Sequence, residues 1–247
     1  MWKVIRNRIE QGCKTSKYPR VPINLYHRYR GRPLVKQDCP MAVVETCAAC
    51  CPQEAIRAGK RCIDLGRCTF CGQCETVADG AFVTFSQEFD MGTAAREDLI
   101  TDGNLPDLAS HAKTHFKKLF GRSLQLRQVS AGGCNSCEAD TNVLNTPFFD
   151  LSRFGIDFVA SPRHADGIHV TGPITRNMRA ALLATYEAVP SPKVVIASGA
   201  CSISGGPFWG SPEIVGDLNS ILPVDLYIPG CPPHPLTTLS ALLAFFK

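Results

Sequence analysis

Cys134, Cys137, Cys201 and Cys231 each lie just beyond the end of a short apolar run. Val129–Gly133 leads into Cys134, Val194–Ala200 into Cys201, and Leu226–Gly230 into Cys231. Such runs read as buried parallel strands. In an open α/β sheet the working site lies outside the carboxyl ends of the strands, so loops remote in sequence meet there. Four thiolates meeting at one point make a zinc site or an iron–sulfur cluster, not a nucleophile.

The grouping of the four narrows that choice. Structural zinc usually takes two local pairs, each pinned by its own turn. Here one pair and two lone cysteines come from three strand ends, which suits a larger cluster in a sheet-edge crevice. Cys231-Pro232-Pro233 also carries the Cys-Pro pattern found at cluster ligands.

A second set lies upstream. Cys68, Cys71 and Cys74 have the C-x2-C-x2-C spacing of a bacterial ferredoxin, and Cys51-Pro52 fits the fourth ligand, which such clusters draw from the other half of the module. A two-cluster ferredoxin would carry further cysteines at 41, 44, 47 and 78. The chain has Met41, Val44, Cys47 and Ala78, so three of four ligands of that second site are missing together. One [4Fe-4S] cluster is expected in this module, at Cys51, Cys68, Cys71 and Cys74. Cys39, Cys47, Cys50 and Cys62 are expected as buried free thiols, although Cys47 and Cys50 form a C-x2-C pair of their own.

The elements that must position these residues are legible as well. Strands are expected at Leu124–Val129, Ile156–Ala160, Ile168–Thr171, Val194–Ala197 and Val224–Ile228, and helices at Glu138–Asn145, Ile174–Val189 and Pro235–Phe246. This alternation predicts a doubly wound parallel sheet. The expected organisation is a basic arm (1–38), a small α+β ferredoxin-like [4Fe-4S] domain (39–88), a linker (89–122) and the α/β domain (123–247). His111 to Phe120 reads as a short solvated surface helix ended by Gly121.

Thirteen cysteines in 247 residues would mean disulfides in a small secreted chain, but no apolar segment follows the charged start and no adjacent arginine pair stands there. Metal is the expected use, in a reducing cytoplasmic setting. Leu236–Phe246 falls far short of the roughly 20 residues that cross a bilayer. Before residue 38, ten basic side chains from Lys3 to Lys36 face Glu10 alone. Such an arm can touch anionic lipid or an acidic partner subunit, or remain a solvated tail; no nucleic-acid partner is expected.

The segments Gly132-Gly133-Cys134-Asn135-Ser136-Cys137-Glu138, Gly172-Pro173-Ile174-Thr175, Gly199-Ala200-Cys201 and Val224 to Pro233 resemble the small subunit of nickel-iron hydrogenases and the related 20 kDa subunit of respiratory complex I. The resemblance covers about residues 123 to 247. It implies a flavodoxin-like fold in which the four cysteines hold the cubane nearest the active site. Complex I subunits typically have adjacent cysteines in the first pair. Cys134 and Cys137 are separated by two residues, as in hydrogenases. The first half is similar to the ferredoxin-type subunit of formate hydrogenlyase, so the chain resembles a fusion of two subunits.

The resemblance implies two [4Fe-4S] clusters and an electron-transfer role. The partners implied are a nickel-iron large subunit, or its complex I 49 kDa-like equivalent, with further ferredoxin-type and membrane-arm subunits, at the cytoplasmic face of the inner membrane. The backbone amides of Gly132 and Gly133 are candidate donors to cluster sulfurs. Glu138 is the candidate proton-transfer residue, with a favourable helix-dipole position as its ordinary explanation. His169 and His234 are expected as satisfied structural histidines. Arg153, Arg163, Arg176 and Arg179 are expected at the large-subunit interface or in solvent. Flavin is disfavoured, because the loop after the first strand lacks a Ser/Thr-rich phosphate cradle. A complex I-like oxidoreductase subunit and a non-enzymatic metal-stabilised assembly protein are the alternative readings.

Overall fold

The computed structural model describes residues 1–108, 118–120 and 123–246, so the expected helix at His111–Phe120 falls largely outside the described residues. In chain order the elements are α1 (Trp2–Gln11), β1 (Pro33–Val35), α2 (Met41–Cys50), β2 (Ile56–Arg57), β3 (Cys62–Asp64), α3 (Gln73–Val77), β4 (Val83–Phe85) and β5 (Ile100–Thr101). These are followed by β6 (Leu124–Ser130), α4 (Ser136–Val143), β7 (Ile156–Phe158), β8 (Gly167–Thr171), α5 (Arg176–Ala188), β9 (Val194–Ser198), α6 (Ala200–Ser204), β10 (Leu226–Ile228) and α7 (Pro235–Phe246).

The second half builds a five-stranded, all-parallel sheet in the order β10-β9-β8-β6-β7. Renumbered within the sheet, that is the 2-1-3-4-5 order of doubly wound flavodoxin-like folds. The apolar runs make buried strands because both faces are covered. Ile168, Val170, Val195 and Ala197 point to one core, whereas Leu124, Leu126, Val194 and Ile196 point to the other, against Leu239, Leu242, Phe245 and Phe246 of α7. Helix α5 adds Leu182, with Met178 and Tyr186 four residues to either side, the spacing that puts all three on one stripe. Strand β7 stops at Phe158, two residues before its expected end, and the expected first helix starts and ends two residues early.

The cysteine-dense half has the order β-α-β-β-α-β from β1 to β4, with β1 and β4 paired antiparallel and β2 and β3 forming a hairpin. Pro33–Val35, from the expected arm, pairs with Val83–Phe85, and Ile100–Thr101, from the expected linker, pairs with β3. Where a two-cluster ferredoxin would need a ligand loop, the chain forms α2, which buries Val44 and Cys47. The Cys47 thiol donates to the Cys74 carbonyl at 3.5 Å. Helix packing therefore fills this stretch of the chain.

The two halves share one core, in which Ile63, Leu65, Phe82 and Leu99 are continuous with Val129, Ile168, Ile203 and Tyr227. Each such side chain contributes ~1.5–3 kcal/mol on burial, so the shared core adds to the stability of both halves. Thr93 exchanges both backbone hydrogen bonds with Tyr227, at 3.0 and 2.8 Å, and so covers the β10 edge. Asp64, 1% exposed, takes a two-pronged ion pair from Arg96 at 2.8 Å on each oxygen.

The basic arm is a strap. Arg153 donates to the Ser16 and Tyr18 carbonyls at 2.6 and 2.9 Å, Tyr29 bonds Thr237 at 3.3 Å, and Arg32 pairs with Glu88. Ser16, Tyr18, Tyr29 and Arg32 are thus tied to the body of the chain rather than free in solvent, and Arg153, itself exposed, makes two of these ties. Among the described helices, α1 alone has every residue exposed.

Candidate functional site: two four-cysteine constellations

The first constellation forms where β6, β9 and β10 end. Cys134 and Cys137 sit in the β6–α4 loop and the first turn of α4, Cys201 in α6, and Cys231 directly after Gly230, in the turn that follows β10. Two hydrogen bonds tie the ends together: Gly199 N–H donates to the Ile228 carbonyl and Ala200 N–H to the Gly230 carbonyl, both at 2.8 Å. Gly199 has φ 91 and ψ 152, a conformation open essentially to glycine alone. A β-carbon there would lie 2.9 Å from the Cys137 Sγ. Gly132 and Gly133 bring the β6 loop onto the β8 loop so closely that a β-carbon on Gly172 would meet the Gly133 nitrogen at 2.5 Å.

The thiols are near enough to oppose one another's ionisation. Burial raises the Cys137 pKa, and Cys201, Cys231 and Cys134 raise it further. Cys201 is pushed up to about 12 by burial and by Cys231 and Cys134. Cys134 is lowered, chiefly by the Ser136 hydroxyl 3.4 Å from its sulfur. Four crowded thiols can ionise together only beside concentrated positive charge, which a bound metal centre supplies.

The second constellation lines one cavity: Cys51, Cys68, Cys71 and Cys74 with Ile56 and Phe85. Burial raises Cys68 strongly and pushes Cys74 up to about 12. Two amides point at sulfurs of this set, Ala55 N–H to Cys51 Sγ at 3.4 Å and Phe70 N–H to Cys68 Sγ at 3.3 Å. Cys71 is exposed. Cys50 lies close enough to Cys51 and Cys71 for both to raise its pKa, after burial. Among the described residues no three His, Cys, Asp or Glu side chains converge as tightly as a single ion requires. Four cysteine sulfurs are the donor set that a [4Fe-4S] cluster takes.

Glu138 is buried beside the first constellation. Ser130 and Thr171 each donate to its Oε1 at 2.7 Å, and Oε2 has no protein partner among the described residues. Burial raises its pKa, but the two hydroxyls outweigh burial and hold it below the usual carboxylate value. Sequence reasoning missed what surrounds it. On this face the strands turn polar toward their carboxyl ends: Gln128 pairs with His169 and Ser130 with Thr171, which pairs in turn with Ser198. His169 is fully buried with neither ring nitrogen bonded to the described residues, and the Gln128 amide nitrogen is unpartnered too. The satisfied-histidine expectation thus fails for His169 and holds for His234, whose Nδ1 accepts from Leu236 N–H at 3.1 Å.

Burial lowers the His169 pKa to about 4, from an ordinary 6.5. Between those values the unfolded chain binds a proton that the folded chain refuses, so stability falls as pH drops from 6.5 to 4 and is unaffected by this group above that window. The loss expected at the acid end is up to about 3 kcal/mol. Unfolding midpoints across this range should slope for the native chain and flatten for His169→Leu; an unchanged slope would assign the acid lability to other groups.

Residues 134–245 match the family described as NADH ubiquinone oxidoreductase, 20 Kd subunit. Over 126 residues the chain is 43% identical to the probable membrane-bound hydrogenase subunit mbhJ of Pyrococcus furiosus, covering 51% of this chain and 75% of that one. The chain belongs to the 20 kDa subunit family. Formate hydrogenlyase subunit 7 of Escherichia coli is 46% identical over 127 residues, 51% of this chain. The match spans 50% of that protein's length. An NADH-quinone oxidoreductase subunit of Carboxydothermus hydrogenoformans is 48% identical over 104 residues, 42% of this chain and 63% of that one. The family serves oxidoreductase complexes and binds iron–sulfur clusters. Both first-constellation helices, α4 and α6, lie inside the matched segment of this 20 kDa-family chain.

Proposed function

We propose that the chain is the electron-transfer subunit of a membrane-associated nickel-iron hydrogenase of the formate hydrogenlyase type. It would relay electrons between a partner large subunit and other carriers. Cys134, Cys137, Cys201 and Cys231 would hold one [4Fe-4S] cluster and Cys51, Cys68, Cys71 and Cys74 the other. Bound there, such clusters supply one-electron chemistry, with potentials set by sulfur hydrogen bonds, charge and exposure.

The observation that carries the reading is the contact between the segments that bear the two constellations. Ser204, three residues after Cys201, donates to the carbonyl of Gly66, two residues before Cys68, at 2.8 Å. A β-carbon on Gly66 would lie 2.7 Å from the Ile203 side chain. Two thiolate sets separated by one such contact suit consecutive steps of a relay. The residues' own contributions are to hold the sulfurs, to exclude water by burial, and to aim the amides of Ala55 and Phe70. Glu138 would hold a carboxylate at the partner-facing end.

Iron and acid-labile sulfide counting on the purified chain tests this, with about eight irons expected from two cubanes. About four would remove one cluster, about twelve would overturn the packed-site reading of α2, and zinc in place of sulfide would favour a structural metal protein. The second reading, a complex I-like quinone oxidoreductase subunit, draws support from the likeness to the NADH-quinone oxidoreductase chain. The two-residue spacing of Cys134 and Cys137 weighs toward the hydrogenase branch.

A further inference from the structure

Helix α1 stands apart from the core. Met1, Trp2, Val4 and Ile9 are 99%, 83%, 72% and 76% exposed, and no residue of the helix is buried. At 3.6 residues per turn, Met1, Trp2, Ile5 and Ile9 fall within a single arc of about 100°. Arg6 and Arg8 stand at its two edges, and Lys3, Val4, Asn7 and Glu10 lie beyond them on the rest of the surface. Glu10, the sole acid in this stretch, is already paired with Arg6 at 2.7 Å. The chain behind the helix is fixed: Ser16 N–H donates to the Phe148 carbonyl at 2.8 Å, and Arg153 clamps Ser16 and Tyr18. A free apolar stripe with cationic margins is thus presented from an anchored base.

We propose that α1 lies in the headgroup region of an anionic bilayer, with Trp2, Ile5 and Ile9 entering the acyl boundary and Lys3, Arg6, Arg8, Lys14, Lys17 and Arg20 meeting lipid phosphates. Charge selects this occupant: the surplus of cations over Glu10 complements an anionic leaflet, and an apolar stripe containing Trp between basic edges matches an interfacial helix. At ten residues the helix is too short to span, and no helix among the described residues is long and apolar enough to cross a membrane. The inference goes beyond the electron-transfer reading and stands without it, because no cysteine takes part.

The test is cosedimentation of the iron-loaded full chain with phosphatidylcholine vesicles, with and without phosphatidylglycerol, at low salt and at ~1 M salt, where the Debye length shrinks to about 3 Å. Binding is expected to require phosphatidylglycerol and to weaken at high salt. Arg6→Gln and Arg8→Gln should each lower low-salt partitioning about fivefold, and Ile5→Asn with Ile9→Asn at least about tenfold. A blue shift of emission on binding should vanish in Trp2→Phe. The cluster absorbance should be unchanged in every variant, since α1 contributes nothing to the core, so a failure here is separate from a failure of the relay. The proposal is overturned by a chain that ignores anionic vesicles, by binding that survives the Ile5/Ile9 pair, or by retention solely on a copurifying acidic subunit, which would make α1 a protein-docking helix.

Discussion

Replacing Cys201 with serine is expected to empty the first constellation while leaving the second loaded. Iron should fall from about eight to about four per chain, and one of two electron paramagnetic resonance signals should persist. Hydrogen-dependent dye reduction by the assembled complex should drop below roughly one hundredth, beyond the 10–100-fold losses caused by changing partners of metal ligands alone. The substitution is close to isosteric, and Cys201 sits on a short buried helix pinned through Gly199 and Ala200, so the fold should survive. Cys68→Ser is the reciprocal control, removing the other signal. Full activity with unchanged iron in Cys201→Ser would sink the ligand assignment.

The second large effect is structural. Arg96→Met should strip the buried Asp64 carboxylate of its two-pronged partner, and breaking one side of such a pair costs about 3–5 kcal/mol. Arg57 lies 3.5 Å from Asp64 Oδ2 and compensates in part, which puts the expected loss near the lower end. Urea unfolding of the iron-loaded chain would measure it. The double variant with Asp64→Asn should be less destabilised than Arg96→Met alone, because it leaves no unpaired buried charge. An asparagine can still accept from Gly66 N–H, as Asp64 does at 3.0 Å. A single variant as stable as the native chain would mean that Arg96 is not a staple.

Much of the α/β half could be read from its residues because buried parallel strands are nearly continuous apolar runs. Val194–Ala197 announces itself in this way, whereas Leu124–Val129, Leu-Gln-Leu-Arg-Gln-Val, shows the alternation of a strand with one apolar side; the cysteines after them inherit their positions from the fold. Helix α6 was not legible: five residues opened by Gly199 and closed by Gly205 carry no periodic pattern. The three-residue strands β1 and β4 are likewise too short to signal, and their pairing joins residues far apart in sequence. Helix α1 is masked by charge, since its arginines interrupt the apolar positions in the linear sequence and separate from them only on a helical surface. The polar row at Gln128, His169 and Ser130 lies hidden because each residue alternates with an aliphatic one that faces the other way. Asp64 and Arg96, 32 residues apart, become partners only once the two halves meet. The missing ligands at 41, 44 and 78 could be counted; that a helix fills their place could not.

The hydrogen bond from Ser204 to Gly66 also bears on timing. Because it lies within a continuous interior rather than across a hinge, the spacing between Cys68 and Cys201 is set when the chain folds and is not renewed by diffusion at each turnover. Carriers mounted on swinging domains slow down in viscous solvent. An electron crossing between these two cysteine sets would have no such gate, and its rate would not wait on a carrier's diffusion.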